Sequence, residues 1–218
     1  MVSKTSNGIR AQFSAIPEAL ESFAQGEFLI VVDNEDRENE GDLIIASQHI
    51  TPEKMAFLIR YSSGFVCCST TAQRLEELNI PIMVENSSDP LKTTYGVTVD
   101  LKEGTTTGIS ASDRAKTCRA IGNHAVTSPE AFSRPGHILP LRAVEGGVLQ
   151  RVGHTEAAVD LCKLSGLYPA GIICELVNDE GTMKRRDDCL KFGLEHGIKV
   201  ITIHDLVLHR RKLEAKAD

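Results

Sequence analysis

The amino-acid sequence predicts a single α/β domain of the α+β type, with one mixed β-sheet covered by helices on its faces. Three observations carry this reading. Helix and strand signals alternate along the 218 residues. The strand signals are short continuous apolar runs, such as Phe28-Leu29-Ile30-Val31-Val32, and not apolar–polar alternations. Such runs belong to strands buried on both sides. No internal repeat, low-complexity run or linker rich in Pro, Gly or Ser divides the chain.

In chain order, the polar start (1–14) reads as a flexible tail and 15–218 as the domain. Ile16 to Gln25 reads as a helix, with Pro17 suited to a first turn. Phe28 to Val32 and Leu43 to Ala46 are buried strands joined by a loop, which favours a mixed sheet. Thr51-Pro52-Glu53 opens a helix, with a capping Thr before Pro at the first helical position. Gly64 to Ser69 and Tyr95 to Leu101 read as strands, and Glu85 to Thr94 is the most loop-like stretch. Ser112 to Val126 reads as a helix. Arg134-Pro135-Gly136 is expected to turn just before a strand that His137 begins. His154 to Ser165 is helical and Ala170 to Leu176 a strand. Asp187 to His196 is helical, Lys199 to Ile203 a strand, and Asp205 to Leu213 a last helix.

Composition narrows the function. The formal net charge is -6, which disfavours a broad basic face for nucleic acid. Trp is absent and aromatic residues make up 5%, so a base-stacking platform is not expected. No apolar run approaches the roughly 20 residues that cross a bilayer. The polar start lacks the apolar core of a secretory signal. The six cysteines form no Cys-x-x-Cys pair and sit mostly in apolar surroundings. Reduced core thiols in a cytoplasmic protein are the expectation. The basic stretch His209-Arg210-Arg211-Lys212 reads as a solvated helix end.

Several stretches could carry chemistry. Between the first two strands lies Asp33-Asn34-Glu35-Asp36-Arg37-Glu38-Asn39-Glu40-Gly41-Asp42. Crowded carboxylates repel one another unless a cation or hydrogen-bond donors offset them. A hard divalent cation such as Mg²⁺ is one remedy; a solvated acidic loop is the plain alternative. Gly41 would let the backbone turn or approach a ligand. Arg151-Val152-Gly153-His154-Thr155-Glu156 leads into a helix, whose open N–H groups could cradle a phosphate, unless Thr155 merely caps it. Gly104-Thr105-Thr106-Thr107-Gly108-Ile109-Ser110 precedes another helix start and is either a second anion turn or a cap. His137 is a candidate acid–base group, and Glu175 closes an apolar strand, where a carboxylate needs a partner or a raised pKa.

Taken in order, these stretches resemble the 3,4-dihydroxy-2-butanone 4-phosphate synthase family. The matching motifs are Asp36 to Asp42, Thr106 to Ser110, Arg134 to His137, Gly153 to Ala157 and Cys174 to Leu176. The resemblance covers the chain from about Ile16 to Leu208. It implies a lyase of riboflavin biosynthesis that converts D-ribulose 5-phosphate to formate and L-3,4-dihydroxy-2-butanone 4-phosphate. It also implies Mg²⁺, or Mn²⁺ in its place, with two ions per site, and a homodimer with sites close to the subunit interface. Residue by residue, it implies Glu38 and His154 as metal ligands and Arg37, Glu38, Asp42 and Glu175 as substrate contacts. Arg151, Thr155 and Thr107 match the phosphate end, and His137, Glu175 and Asp42 the catalytic positions. Fusion to a second catalytic domain, known in this family, is not expected in this chain. Asn34, Val152 and the length of Glu85 to Thr94 depart from the family pattern and bear on loop shape. The rival readings are another Mg-dependent sugar-phosphate enzyme, a phosphatase or isomerase, or an inactive sugar-phosphate-binding domain.

Overall fold

The apolar runs become strands of one seven-stranded sheet in the computed structural model, which describes residues 12–217. In chain order the elements are α1 (Ile16–Ala24), β1 (Leu29–Val32), β2 (Gly41–Ala46), α2 (Pro52–Tyr61), β3 (Cys67–Thr70), α3 (Ala72–Glu77) and β4 (Val99–Leu101). Then follow α4 (Ala111–Ile121), β5 (Phe132–Arg142), α5 (His154–Leu164), β6 (Ala170–Glu175), α6 (Arg186–His196), β7 (Lys199–Thr202) and α7 (Ile203–Ala217). The sheet order is β4-β5-β3-β6-β2-β1-β7. It is mixed: β1 runs parallel to β7 and β3 to β5, and the other neighbouring pairs are antiparallel.

Continuous apolar runs are needed because both faces are covered. Ile30, Val32, Leu43 and Ile45 point into one core, with Met55 and Leu58 of α2, Cys118 of α4 and Phe192 of α6. Their neighbours Leu29, Val31, Ile44 and Ala46 point into the other, with Phe23 of α1, Leu161 of α5 and Leu206 of α7. Successive side chains of one strand thus serve opposite cores. Thr51 caps α2 as expected, its Oγ1 accepting from the Lys54 N–H at 3.2 Å.

Some local expectations are corrected. Of Tyr95 to Leu101 only Val99–Leu101 is strand; Tyr95 makes a single bridge to Leu141. The segment α3 gave no signal in the sequence. Arg134-Pro135-Gly136 does not turn but lies inside β5. Gly136 is pressed against the Val99 backbone, where any side chain would overlap it. Gly41 likewise makes room for the Cys189 side chain of α6, and not for a ligand. Arg210 is ion-paired with buried Asp160 at 2.8 Å instead of being simply solvated. Of the expected tail, 1–11 lies outside the described residues, while the Ser14 N–H donates to the Val200 carbonyl at 2.7 Å.

The topology gathers one row of residues at one sheet end. Asp42 of β2 pairs in register with Glu175 of β6. Continuing the β3 registers two residues before Cys67 places Phe65 between Glu175 and His137. Strand spacing then separates Glu175 from His137 by roughly 10 Å of backbone.

Candidate active site

The loop between β1 and β2 hangs over that sheet end, and Asp33 organises it. The Asp33 carboxylate accepts from the Glu38 N–H at 2.9 Å, the Glu40 N–H at 2.9 Å and Arg37 Nη1 at 3.1 Å. Arg185 of the segment before α6 donates to the Glu38 carbonyl at 2.9 Å. These contacts turn Arg37, Glu38, Glu40 and Asp42 inward and leave Glu35 and Asp36 exposed. The acidic run therefore splits into a site and a solvated tip.

Across from the loop stands His154, the first residue of α5, which is buried. Its Nε2 lies 3.1 Å from the Val31 carbonyl. A carbonyl only accepts, so Nε2 carries the hydrogen and Nδ1 faces the acidic loop. Nδ1 is 3.2 Å from Glu38 Oε2 and 4.0 Å from Asp42 Oδ1. That Asp42 oxygen is buried and has no hydrogen-bond partner. Burial raises the Asp42 carboxyl to about 8, with the charges of Glu175, Glu38 and Glu40 adding to it against the pull of His154. Burial would lower His154, but the charge of Asp42 and the hydrogen bond to Glu38 outweigh it and raise the imidazole to about 9. Burial would raise Glu38, yet its hydrogen bond and charge contact with His154, with Arg37 behind, hold it at about 2.

This donor set fits a hard divalent cation. Asp33, Glu38 and His154 offer ligand atoms within 4.8 Å of one another. Because Asp33 already accepts from its own loop, Glu38 and His154 are the freer ligands, with the unpartnered Asp42 oxygen beside them. The carbonyl behind His154 is the outer partner that aims such a ligand.

At the other end of the pocket Gly153 is the N-cap of α5, with no capping side chain. The capping role weighed for Thr155 is therefore not the one it has: Thr155 lies within the first turn and is buried. Arg151 folds back over this helix start. Its Nη1 donates to Glu156 Oε2 at 2.5 Å, and its Nη2 to Thr93 Oγ1 at 2.9 Å. Its Nε and Nη2 reach the Leu91 carbonyl at 3.2 and 3.1 Å.

Arg37, Glu38, Asp42, Arg151, His154, Thr155 and Glu175 all line one pocket of about 50 Å³. Sequence reasoning missed Glu40, Cys67, Thr93 and Tyr95, which line it too, with Leu141 and Ile173 as apolar wall. Glu40 stood in the acidic run; the other three carry no local signal. Burial pushes the Cys67 thiol well up, so it is a neutral wall. Ser63, also unforeseen, fixes Glu175 through an Oγ–H donated to Oε2 at 2.7 Å.

Thr107 and His137 do not line this pocket. Asp113 spends the donors of the Thr107 turn, accepting from the N–H groups of Thr106 and Gly108 at 3.0 and 3.1 Å. His137 pairs with Asp100, Nδ1 to Oδ2 at 2.6 Å, with the side chain 40% exposed. Gly108 lies against this pair. The two residues therefore belong to a second, exposed cluster at the same sheet end.

Comparison with known proteins shows the family. A family model described as 3,4-dihydroxy-2-butanone 4-phosphate synthase matches residues 17–209. The chain is 61% identical over 194 residues to the synthase of that name from Schizosaccharomyces pombe, covering 88% of this chain and 95% of that one. It is 51% identical over 208 residues to the synthase from Saccharomyces cerevisiae, covering 92% and 100%. A crystal structure of such a synthase in complex with two magnesium ions superposes with a TM-score of 0.91 at 46% identity, covering 93% of this chain and 99% of that one. The chain thus belongs to the 3,4-dihydroxy-2-butanone 4-phosphate synthase family, lyases of riboflavin biosynthesis.

Proposed function

We propose that this pocket performs the family's reaction, D-ribulose 5-phosphate to formate and L-3,4-dihydroxy-2-butanone 4-phosphate, with roles divided as follows. The observation that carries it is the polarity of the pocket: carboxyl groups at one end, an open helix start with an arginine at the other. A sugar phosphate has the same two ends.

The phosphate lies at the start of α5. Thr155 offers its hydroxyl, and the first-turn N–H groups have no acceptor within the helix. Arg151 supplies a fixed charge and the Nη1 hydrogen that Glu156 does not take. The sugar hydroxyls face Arg37, Glu38 and Asp42. Glu38 and His154 would hold Mg²⁺, or Mn²⁺ in its place, with two ions per site. When bound, the ions would stabilise negative charge developing on the substrate's oxygens. The reaction needs a base to take the C1 proton and an acid to help the C3 hydroxyl leave. Asp42 and Glu175 are register partners across the β2–β6 pair, and both line the pocket. Asp42, at about 8, carries the proton, and Glu175, held through one oxygen by Ser63, is the acceptor. After the skeletal shift and hydration, C4 leaves as formate. Substrate and products have the same atoms in total, so no redox cofactor is required.

The second cluster is read as a contribution between copies. In a homodimer, His137 and Thr107 of one chain complete the pocket of the other. Phe65 and Ile109, beside that cluster, are 56% and 52% exposed, as an uncovered interface would leave them. We also read 15–218 as one domain, since the two cores share one sheet. A cytoplasmic location is in keeping with six free, buried cysteines. Among the described residues no helix is long and apolar enough to cross a membrane.

The test is carbon NMR of the purified protein with ¹³C-labelled ribulose 5-phosphate, with Mg²⁺ and with a chelator. Formate and a four-carbon phosphate, formed only with the metal, are expected. Free phosphate or an isomeric pentose would overturn the lyase reading, and unchanged substrate would point to a binding domain.

A further inference from the structure

We propose that Glu156 is a positioning residue for the anion end of the pocket, aiming one hydrogen of Arg151 at the substrate. The inference rests on the reading of Arg151 given above. A guanidinium has five N–H donors in a rigid plane. In Arg151 the Nε hydrogen and both Nη2 hydrogens are directed at the Leu91 carbonyl and Thr93 Oγ1. One Nη1 hydrogen goes to Glu156 Oε2. The other has no acceptor among the described residues, and Arg151 lines the pocket. With the plane rigid, fixing the first Nη1 hydrogen fixes the direction of the second. Leu91 and Thr93 hold one side of the plane, and Glu156, the only charged partner among the described residues, pins the Nη1 side and so helps set where the single unspent donor points.

Glu156 is itself held. Its side chain is 1% exposed, and its other oxygen accepts from the Val144 N–H at 3.0 Å. Both ends of the carboxylate are used, so it has no freedom to follow a wandering arginine. Gly153 is part of the arrangement, because a Cβ there would overlap Arg151 Nη1 and lie 2.9 Å from Glu156 Oε2. The next turn of α5 provides an internal control. Asp160 is also buried and holds the same connecting loop, accepting from the Val148 N–H at 2.9 Å and from Arg210 at 2.8 Å. Its hydrogen bonds reach the loop and Arg210 but not Arg151.

The experiment is steady-state kinetics with ribulose 5-phosphate and Mg²⁺ on Glu156→Gln, Arg151→Ala, Asp160→Asn and the Glu156→Gln/Arg151→Ala double variant, each with a thermal melt. Glu156→Gln turns an N–H group toward one of two donors, and should raise KM on the order of tenfold by disturbing a charge-assisted contact, with a much smaller change in kcat. In the Arg151→Ala background the same change should leave KM where Arg151→Ala put it. Asp160→Asn should lower the melting temperature and leave KM near wild type. A wild-type KM for Glu156→Gln, with KM raised in Arg151→Ala, overturns the positioning role and leaves the anion reading intact. A wild-type KM for Arg151→Ala overturns the anion reading itself. Equal KM increases for Glu156→Gln and Asp160→Asn, or full additivity in the double variant, would reduce Glu156 to a loop anchor and overturn the proposal. Should Glu156→Gln not fold, Glu156→Asp carries the same comparisons: it keeps the charge, withdraws it by one methylene and should raise KM likewise.

Discussion

Asp42 and His154 show how single residues acquire chemistry from their surroundings. Both hold protons more tightly than usual: Asp42 at about 8, chiefly because it is buried, and His154 at about 9, because the carboxylates around it outweigh its burial. A cation held by Glu38 and His154 must displace the His154 proton, while Glu38, at about 2, has none to lose. Affinity for Mg²⁺ should therefore fall as pH drops below about 9, approaching roughly tenfold per pH unit for the proton displaced. Calorimetric titration in two buffers of different ionisation heat would detect the released protons. A pH-independent affinity would remove His154 from the metal site. Glu38→Gln should abolish turnover with an unchanged melt of the metal-free fold; near-normal activity would sink its assignment as ligand. Arg151→Ala should weaken substrate binding by on the order of 2 kcal/mol, read from KM. Residues that stand in a distinctive local run, such as Glu38, Asp42, His154 and Thr155, were legible as candidates, and folding brings them into one pocket. Asp33, Asp100 and Glu156 were not, because each acts on a functional residue through a partner that folding supplies.

Among elements, the buried strands were the easiest to read, since a strand covered on both faces has to be apolar throughout. The helices α2 and α5 announced themselves by Thr51-Pro52 and Gly153-His154. The misread β5 shows a local rule losing to tertiary packing. Pro-Gly ordinarily turns, but Gly136 is needed where β5 meets the β4 backbone, and Pro is tolerated at such irregular pairings. The pairing shifts register between Val99 and Asp100. The missed α3 has another cause: it is short, and its central residue, Arg74, is charged yet 1% exposed. Arg74 donates to the carbonyls of Ala120, Ile121, Asn123 and Val126, closing the C-terminal end of α4. Nothing local to α3 records that task. Arg74→Met should cost about 3 kcal/mol or more, because several buried carbonyls lose their donor at once. Urea denaturation measures it, and a loss under about 1 kcal/mol would mean that water replaces the guanidinium.

At the scale of the whole molecule, the single chain gathers a pocket with carboxyl groups at one end and an arginine at a helix start at the other, and, two strands away, a histidine that does not line it. His137 has Nδ1 fixed by Asp100, which leaves Nε2 for chemistry. It does not line its own chain's pocket, and Phe65, opposite it in the β3–β5 register, and Ile109, next to the Gly108 that touches it, are exposed. A site shared between two copies makes sense of all three facts, and it has a consequence that a self-contained site lacks. Glu38→Gln and His137→Asn should each be inactive as purified. When the two variants exchange subunits, half of the sites in each mixed dimer combine the intact Glu38 of one chain with the intact His137 of the other. Formate production should then return, while the parent variants stay silent. Light scattering should show twice the chain mass for all of them. Mixed dimers proved by mass spectrometry and still inactive would place His137 in its own chain's pocket, which would then have to close across roughly 10 Å of sheet during each turnover.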